Sequence, residues 1–234
     1  MNPVALYNHE PLTSAAKQHQ FDPYEMNGGT SLVIKGSDFC VVASDTRQSV
    51  GFQINSRYAP KTFKLTDNAV ITASGFSADS LALFKKLSQN LEWYKHAHDK
   101  VMSTPAIAQM LSNTLYYKRF FPYYSFCLVG GIDEQGRGVA YSYDPMGSYG
   151  PEPYKSVGSA STLIQPFLDN QARVGHQNQQ IVQQSEISLE SAISITKDAF
   201  TSASERDIYT GDFLEIFVIK QGGVTVERVD LRKD

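Results

Sequence analysis

The stretch NGGTSLVIKGSDFCVVASD, residues 27–45, holds two short apolar runs, TSLVIKG and FCVVASD, with Ser37 and Asp38 between them. That spacing is the one a tight hairpin requires. A sheet therefore begins near residue 30, and the two glycines before it raise a chemical question. A Gly-Thr boundary at a strand start can be where a prosegment is cut off to expose a nucleophilic threonine, which makes Thr30 a candidate nucleophile to be tested against the rest of the chain.

Working outward, residues 52–55 suggest a third strand, and KTFKLTDNAVITASG (61–75) a further pair turned at Asp67-Asn68. Leu81, Phe84, Leu87, Leu91 and Tyr94 recur at three and four residues and predict one face of a helix over 78–96. Thr104-Pro105 then reads as an N-cap followed by a proline in the first turn, opening a helix towards Lys118 with Ile107, Met110, Leu111 and Leu115 as its stripe. SFCLVGGI and GRGVAYSYD form a hairpin, STLIQPFLDNQ and SLESAISITKDAFTSAS return to helical spacing, and FLEIFVIK and VTVERVDL close the chain around Gln221-Gly222-Gly223. Strand blocks joined by hairpins and interleaved with paired helices predict an α+β fold, two stacked antiparallel sheets between two helix layers.

The 234 residues are 41% hydrophobic and 19% charged, as in ordinary globular chains, and no repeat, linker or low-complexity tract divides residues 20–234, which read as a single domain. A net charge of -3 gives no basic field for nucleic acid and no polybasic patch for a membrane surface. No window approaches the roughly 20 apolar residues of a membrane span. The opening MNPVALYNHEPLTSAAKQHQ is polar, carries Pro3 and Pro11 and lacks a signal-peptide pattern, so residues 1–19 read as a flexible leader. Cys40 and Cys127, each inside an apolar run, suit buried free thiols in a reducing compartment.

The combination NGGTSL, ASDTR, INSRYAPKTF, TASG, KRFFPYY, YSYDPMGSY, PFLDNQ and RDIYTGDFLEI resembles a beta subunit of the eukaryotic 20S proteasome, of the beta-6 (beta type-1) kind, from about Gln20 to the C-terminus. The resemblance implies the four-layer αββα sandwich of the N-terminal-nucleophile hydrolases, in agreement with the element order. It also implies a mechanism for the active members: an N-terminal threonine supplies the hydroxyl, its own α-amino group accepts the proton, and a lysine held by an aspartate favours negative charge nearby. The family places the nucleophile sixteen residues before the aspartate of ASDTR; from Asp45 that position is Gly29, which carries no hydroxyl. Lys61 stands at the family lysine, Gly75 at the oxyanion-hole glycine, Ser159 and Asp207 at the assisting serine and aspartate, and Thr210 where a serine is usual.

Thr30 lies one residue too late. Neighbouring side chains on a strand point to opposite faces, so its hydroxyl is expected to turn away from Lys61 and Asp45, which remain as a structural ion pair in a vestigial site. The resemblance thus implies a non-catalytic structural subunit with no cofactor, in the cytoplasm and nucleus. Its implied partners are the other beta subunits of its ring, the opposite beta ring and the adjacent alpha ring. Because self-cleavage needs the missing hydroxyl, a neighbouring subunit is expected to trim the leader between His19 and Gln20. Competing readings are an active subunit using Thr30 after cleavage behind Gly29, and a free-standing amidase of the same fold.

Weaker candidates read as structure. His96, His98 and Asp99 do not share one helix face, as a metal site would need, and Gly130-Gly131 and Gly222-Gly223 lack a phosphate loop's context. RFFPYY (119–124) and YSYDPMGSY (141–149) concentrate aromatics that fit either an interface core or the chain's own helices.

Overall fold

In the computed structural model, which describes residues 21–172 and 187–234, the first hairpin consists of β1 (Thr30–Lys35) and β2 (Phe39–Asp45), with Lys35 opposite Cys40. Gly36 N–H donates to the Phe39 carbonyl at 2.8 Å, and the Phe39 ring lies so close over Gly36 that a Cβ would fall 2.2 Å from it. The leader, His19 and Gln20 lie outside the described residues.

The next strands are β3 (Gln48–Val50), β4 (Gln53–Ser56), β5 (Thr62–Thr66) and β6 (Ala69–Gly75), followed by helices α1 (Ser77–His98) and α2 (Thr104–Tyr117). Then come β7 (Ser125–Ile132), β8 (Gly138–Tyr143), β9 (Tyr149–Pro151), β10 (Tyr154–Gly158), α3 (Ser161–Gln171), α4 (Leu189–Arg206), β11 (Phe213–Lys220) and β12 (Gly223–Asp230). One five-stranded sheet has the order β10-β1-β2-β11-β12, the other β5-β6-β7-β8-β9, and every pairing is antiparallel. β3 and β4 form a separate ribbon.

The three larger cores follow from the period of two along the strands. Leu32, Ile34, Val41 and Ala43 pack beneath α3 and α4 with Ile164, Leu168 and Phe200. Ile71, Ala73, Cys127 and Val129 face α1 and α2, meeting Leu83, Leu87, Leu111 and Leu115. The alternate residues Val33, Cys40, Val42, Val70 and Leu128 meet between the sheets. The layers are helix, sheet, sheet, helix, as expected. Burial pushes the Cys40 thiol up to about 12 and the Cys127 thiol to about 11, so both stay protonated at neutral pH.

Towards one end the inter-sheet layer turns from apolar to hydroxylic. Thr72 donates to Ser31 at 2.7 Å, Ser31 lies 3.0 Å from Ser74, and Ser44 lies 2.7 Å from Thr62. These hydroxyls bridge the sheets at the end where the candidate site lies, and no buried side-chain nitrogen or oxygen is left without a partner among the described residues.

Several local expectations shift. On α1 the buried ridge is Leu83, Leu87 and Leu91 at strict spacing of four, while Leu81 is 50% exposed; Phe84 instead stacks on Phe63 at 4.3 Å. The N-cap of α2 is Ser103, and Thr104 Oγ1 serves tertiary structure, donating to the Ile132 carbonyl at 2.7 Å. Strands β3, β9 and β10 were not legible in the sequence, being three to five residues long, too short to carry a period of their own.

The two aromatic stretches part ways. Tyr143 and Tyr149 stack at 5.1 Å and Tyr143 donates to the Ala108 carbonyl of α2, so that stretch packs on the chain's own helix. Phe120 is 98% exposed and Phe121 52%.

Gly130 sets how closely the sheets approach, because a Cβ there would lie 2.4 Å from Val42 Cγ2 and 2.7 Å from Cys40 Sγ. Gly130→Val is expected to lower stability by about 1–3 kcal/mol through overpacking. Gly150→Ala, with nothing within 4 Å of the added Cβ, is the matched control and should be near neutral in the same urea unfolding experiment.

Candidate functional site

The site lies where β1 begins, beside the ends of β2 and β6 and the loop after α4. Asp45, the last residue of β2, is fully buried and collects donors from three segments. It accepts from Thr30 N–H at 2.9 Å, Gly211 N–H at 3.1 Å and Arg47 N–H at 3.3 Å. Lys61 Nζ stands 3.2 Å from its Oδ1 and also donates to the carbonyls of Asp45 (3.0 Å) and Arg47 (2.6 Å).

Burial pushes the Lys61 ammonium below its ordinary value, against the pull of the Asp45 carboxylate. Burial likewise pushes Asp45 up, opposed by Lys61 and by the Thr30 and Gly211 amides. Each charge is tolerable there because the other is present.

Gly29 sits directly against this lysine. Its φ of +85° is in the left-handed region, and a Cβ built on it would fall 2.1 Å from Lys61 Cε and 2.9 Å from Nζ. The lysine stem occupies the space where a side chain at 29 would go. A side chain here needs both a different backbone conformation and a displaced Lys61.

Thr30 points elsewhere. Its Oγ1 accepts from Ala160 N–H at 3.0 Å and lies 2.7 Å from Thr210 Oγ1, which itself donates to Asp207 Oδ2 at 2.7 Å. Since the Thr210 proton is committed to Asp207, Thr30 donates to Thr210 while accepting from Ala160. Ser159 Oγ also donates to Asp207 Oδ2, at 2.5 Å, and its N–H donates to the Gly29 carbonyl at 3.0 Å. Ser159, Asp207, Thr210 and Thr30 thus form one hydroxyl network, on a different set of partners from Lys61.

Gly75, with φ +127° and its Cβ direction closed by the Tyr124 carbonyl at 2.7 Å, borders a cavity shared with Lys61 and Ala73. The cavity measures about 20 Å³, room for about one water.

Sequence reading missed a second buried charge centre behind the first. Asp212, fully buried at φ +70°, receives Arg47 Nε at 2.8 Å and Arg57 Nη1 at 2.5 Å. Arg47 also donates to the Ile208 carbonyl at 2.9 Å and the Arg232 carbonyl at 3.2 Å, binding the chain's end to the loop after α4. The only signal was the presence of these residues inside ASDTR and RDIYTGD. His96 and His98 stay on the surface of α1, His98 packing on Tyr94 at 4.5 Å, and no group of three metal-ligating side chains comes together among the described residues.

Lys61→Met would leave Asp45 buried without its cation and is expected to cost about 3–5 kcal/mol. Adding Asp45→Asn should recover part of that loss; a urea-unfolding double-mutant cycle reads the coupling.

Comparison with known proteins gives this geometry its context. The family described as "Proteasome subunit" matches residues 25–219. The chain is 52% identical over 221 residues to the proteasome subunit beta type-1-B of Carassius auratus, covering 94% of this chain and 92% of that one. It is 52% identical to the beta type-1 subunit of Arabidopsis thaliana, with 93% and 99% covered, and 45% identical to the beta type-6 subunit of Saccharomyces cerevisiae, with 93% of each covered. With a match across most of its length and a sandwich of two antiparallel sheets between helix pairs, the chain belongs to the proteasome subunit family.

Proposed function

We propose that this chain is a non-catalytic beta-ring subunit of the 20S proteasome core particle, which builds the chamber wall while other subunits cut the chains delivered in ATP- and ubiquitin-dependent degradation. The observation that carries the reading is residue 29. The position that the family register gives to the nucleophile holds a glycine, in a left-handed conformation, with the Lys61 stem across it. The remaining furniture, Asp45, Lys61, Gly75, Ser159, Asp207 and Thr210, then serves the fold. Its partners are the other beta subunits of its ring, the opposite beta ring and the adjacent alpha ring, in the cytoplasm and nucleus. Residues 20–234 act as one domain, and a neighbouring subunit removes residues 1–19 by cutting between His19 and Gln20.

The rival nucleophile, Thr30, is opposed by its own bonds. Its hydroxyl is engaged with Thr210 and, through it, with Asp207, on partners other than Lys61.

Two outcomes check the reading on assembled particles. An electrophilic probe for N-terminal threonines should leave this chain unmodified while labelling active subunits, and intact-mass analysis should find Gln20 at its N-terminus; a chain beginning at Thr30, or labelled there, would sink it. Gly29→Thr should stay unprocessed at the bond before residue 29, because the conformation and Lys61 both oppose the new side chain. Appearance of a chain starting at residue 29 would show that the missing hydroxyl alone kept the site silent.

A further inference from the structure

Residues 231–233, which follow β12, lie over the second charge centre. The β11–β12 ladder runs in register as far as Phe213 opposite Asp230. Beyond that pair it continues one residue out of step. Leu231 N–H donates to the Asp212 carbonyl at 3.0 Å, while Asp212 N–H donates to the carbonyl of Arg232, at 2.8 Å, instead of to that of Leu231. Asp212 makes this step at φ +70°, a left-handed angle that is strained for a residue with a side chain and persists only where the surroundings hold it. Two guanidinium groups bind the same stretch. Arg47 Nη2 donates to the Arg232 carbonyl at 3.2 Å, and Arg57 Nη1 donates to both Asp212 Oδ1 and the Lys233 carbonyl.

The bonds run on from there to the first charge centre. Arg47 also holds the Ile208 carbonyl at 2.9 Å, and a Cβ on Gly211 would fall 2.7 Å from Arg47 Cζ and 2.8 Å from the Arg232 oxygen, so the loop 207–212 is hemmed in by both. Gly211 N–H in turn donates to Asp45, which accepts from Thr30 N–H at the start of β1. Thr46 N–H donates to the Phe213 carbonyl, Thr46 Oγ1 to the Arg57 carbonyl and Ala59 N–H to the Thr46 carbonyl, which ties the segment entering β5 to the same place. The residues that cover this network are themselves held mainly by those bonds: Leu231 is buried with the α3–α4 core, whereas residues 232–234 are exposed and belong to no strand.

We propose that residues 231–233 are a releasable clasp on the candidate site. Seated, they fix Asp212 in its left-handed conformation and hold the loop 207–212 against Asp45. Released, they free that loop and the start of β1 together, while the rest of the sandwich stays folded. Release takes from Asp212 N–H, Arg47 Nη2 and Arg57 Nη1 the carbonyls they bond, and lets water reach a buried aspartate–arginine pair. Asp212 then relaxes, and Gly211, its chain neighbour, withdraws its N–H from Asp45. Because the loop also carries Asp207 and Thr210, the clasp sets the hydroxyl network around Thr30 as well as the carboxylate behind it. Opening of this local kind belongs to segments fastened by surface bonds rather than by core packing. The clasp is a property of the folded chain and holds whether or not the subunit is catalytically silent.

Hydrogen exchange read by mass spectrometry tests this on the full-length protein and on a variant that stops at Asp230. The variant should exchange about tenfold or more faster over 207–213, over 46–47 and at Thr30, since the four bonds to residues 231–233 are gone, while β6 and β7 keep the wild-type rate. Unchanged exchange over 207–213, or an increase spread equally over every segment, overturns the clasp. Should the shortened chain not fold, the wild type in low urea decides: 231–233 and 207–213 should open at one common rate, faster than β6 and β7. Exchange over 207–213 as slow as in β6 and β7 overturns it, and so does free exchange over 231–233 beside a protected 207–213.

Discussion

The buried carboxylate of Asp45, which accepts from Arg47 N–H two residues on, joins the end of β2 to three other stretches of chain: the start of β1 through Thr30 N–H, the loop after α4 through Gly211 N–H, and Lys61 from the segment entering β5. A carboxylate taken out of water must replace its whole hydration shell, and three amides and one ammonium do so here. The constraint runs outward from that point. In satisfying Asp45 and the two carbonyls beside it, Lys61 lies along Gly29, which at φ +85° meets it with no side chain.

The same end of the sandwich is polar throughout, for a reason of layers. Between the sheets, Val33, Cys40, Val42 and Leu128 close the interior with apolar contact, and Gly130 brings the sheets together at that level. Beyond them Ser31, Ser44, Thr62, Thr72 and Ser74 take over and link the sheets through hydroxyls. Buried hydroxyls in pairs satisfy one another, and they fix distances more sharply than aliphatic contact does. A network of this kind suits a site that must hold a backbone in register. In this chain the register it holds places a glycine at the centre.

The order of elements was largely legible, because hairpins with short turns and helices with three-and-four spacing carry their signal locally. The first hairpin, the pair turned at Asp67-Asn68, and the helices α1, α2, α3 and α4 all stand where the periodicity put them. What was not legible depended on partners distant in sequence. β10 is a strand because β1 offers it an edge, Leu83 rather than Leu81 is buried because of where the sheet lies under α1, and Thr104 bonds a β7 carbonyl rather than capping its helix. Arg47 and Asp212, 165 residues apart, gave no sign in the sequence that they would meet.

By itself the sequence determined that the residue in register before Asp45 is a glycine, since the presence or absence of a hydroxyl is a matter of composition at one position. It also predicted that the Thr30 hydroxyl turns away from Lys61, from the alternation of side chains along a strand. Only the tertiary structure decided that Lys61 fills the space above Gly29 and that the Thr30 hydroxyl is linked through Thr210 to Asp207. Those outcomes require positive backbone angles and bonds between segments 30 to 180 residues apart, and a contact at that range is set by how the layers stack.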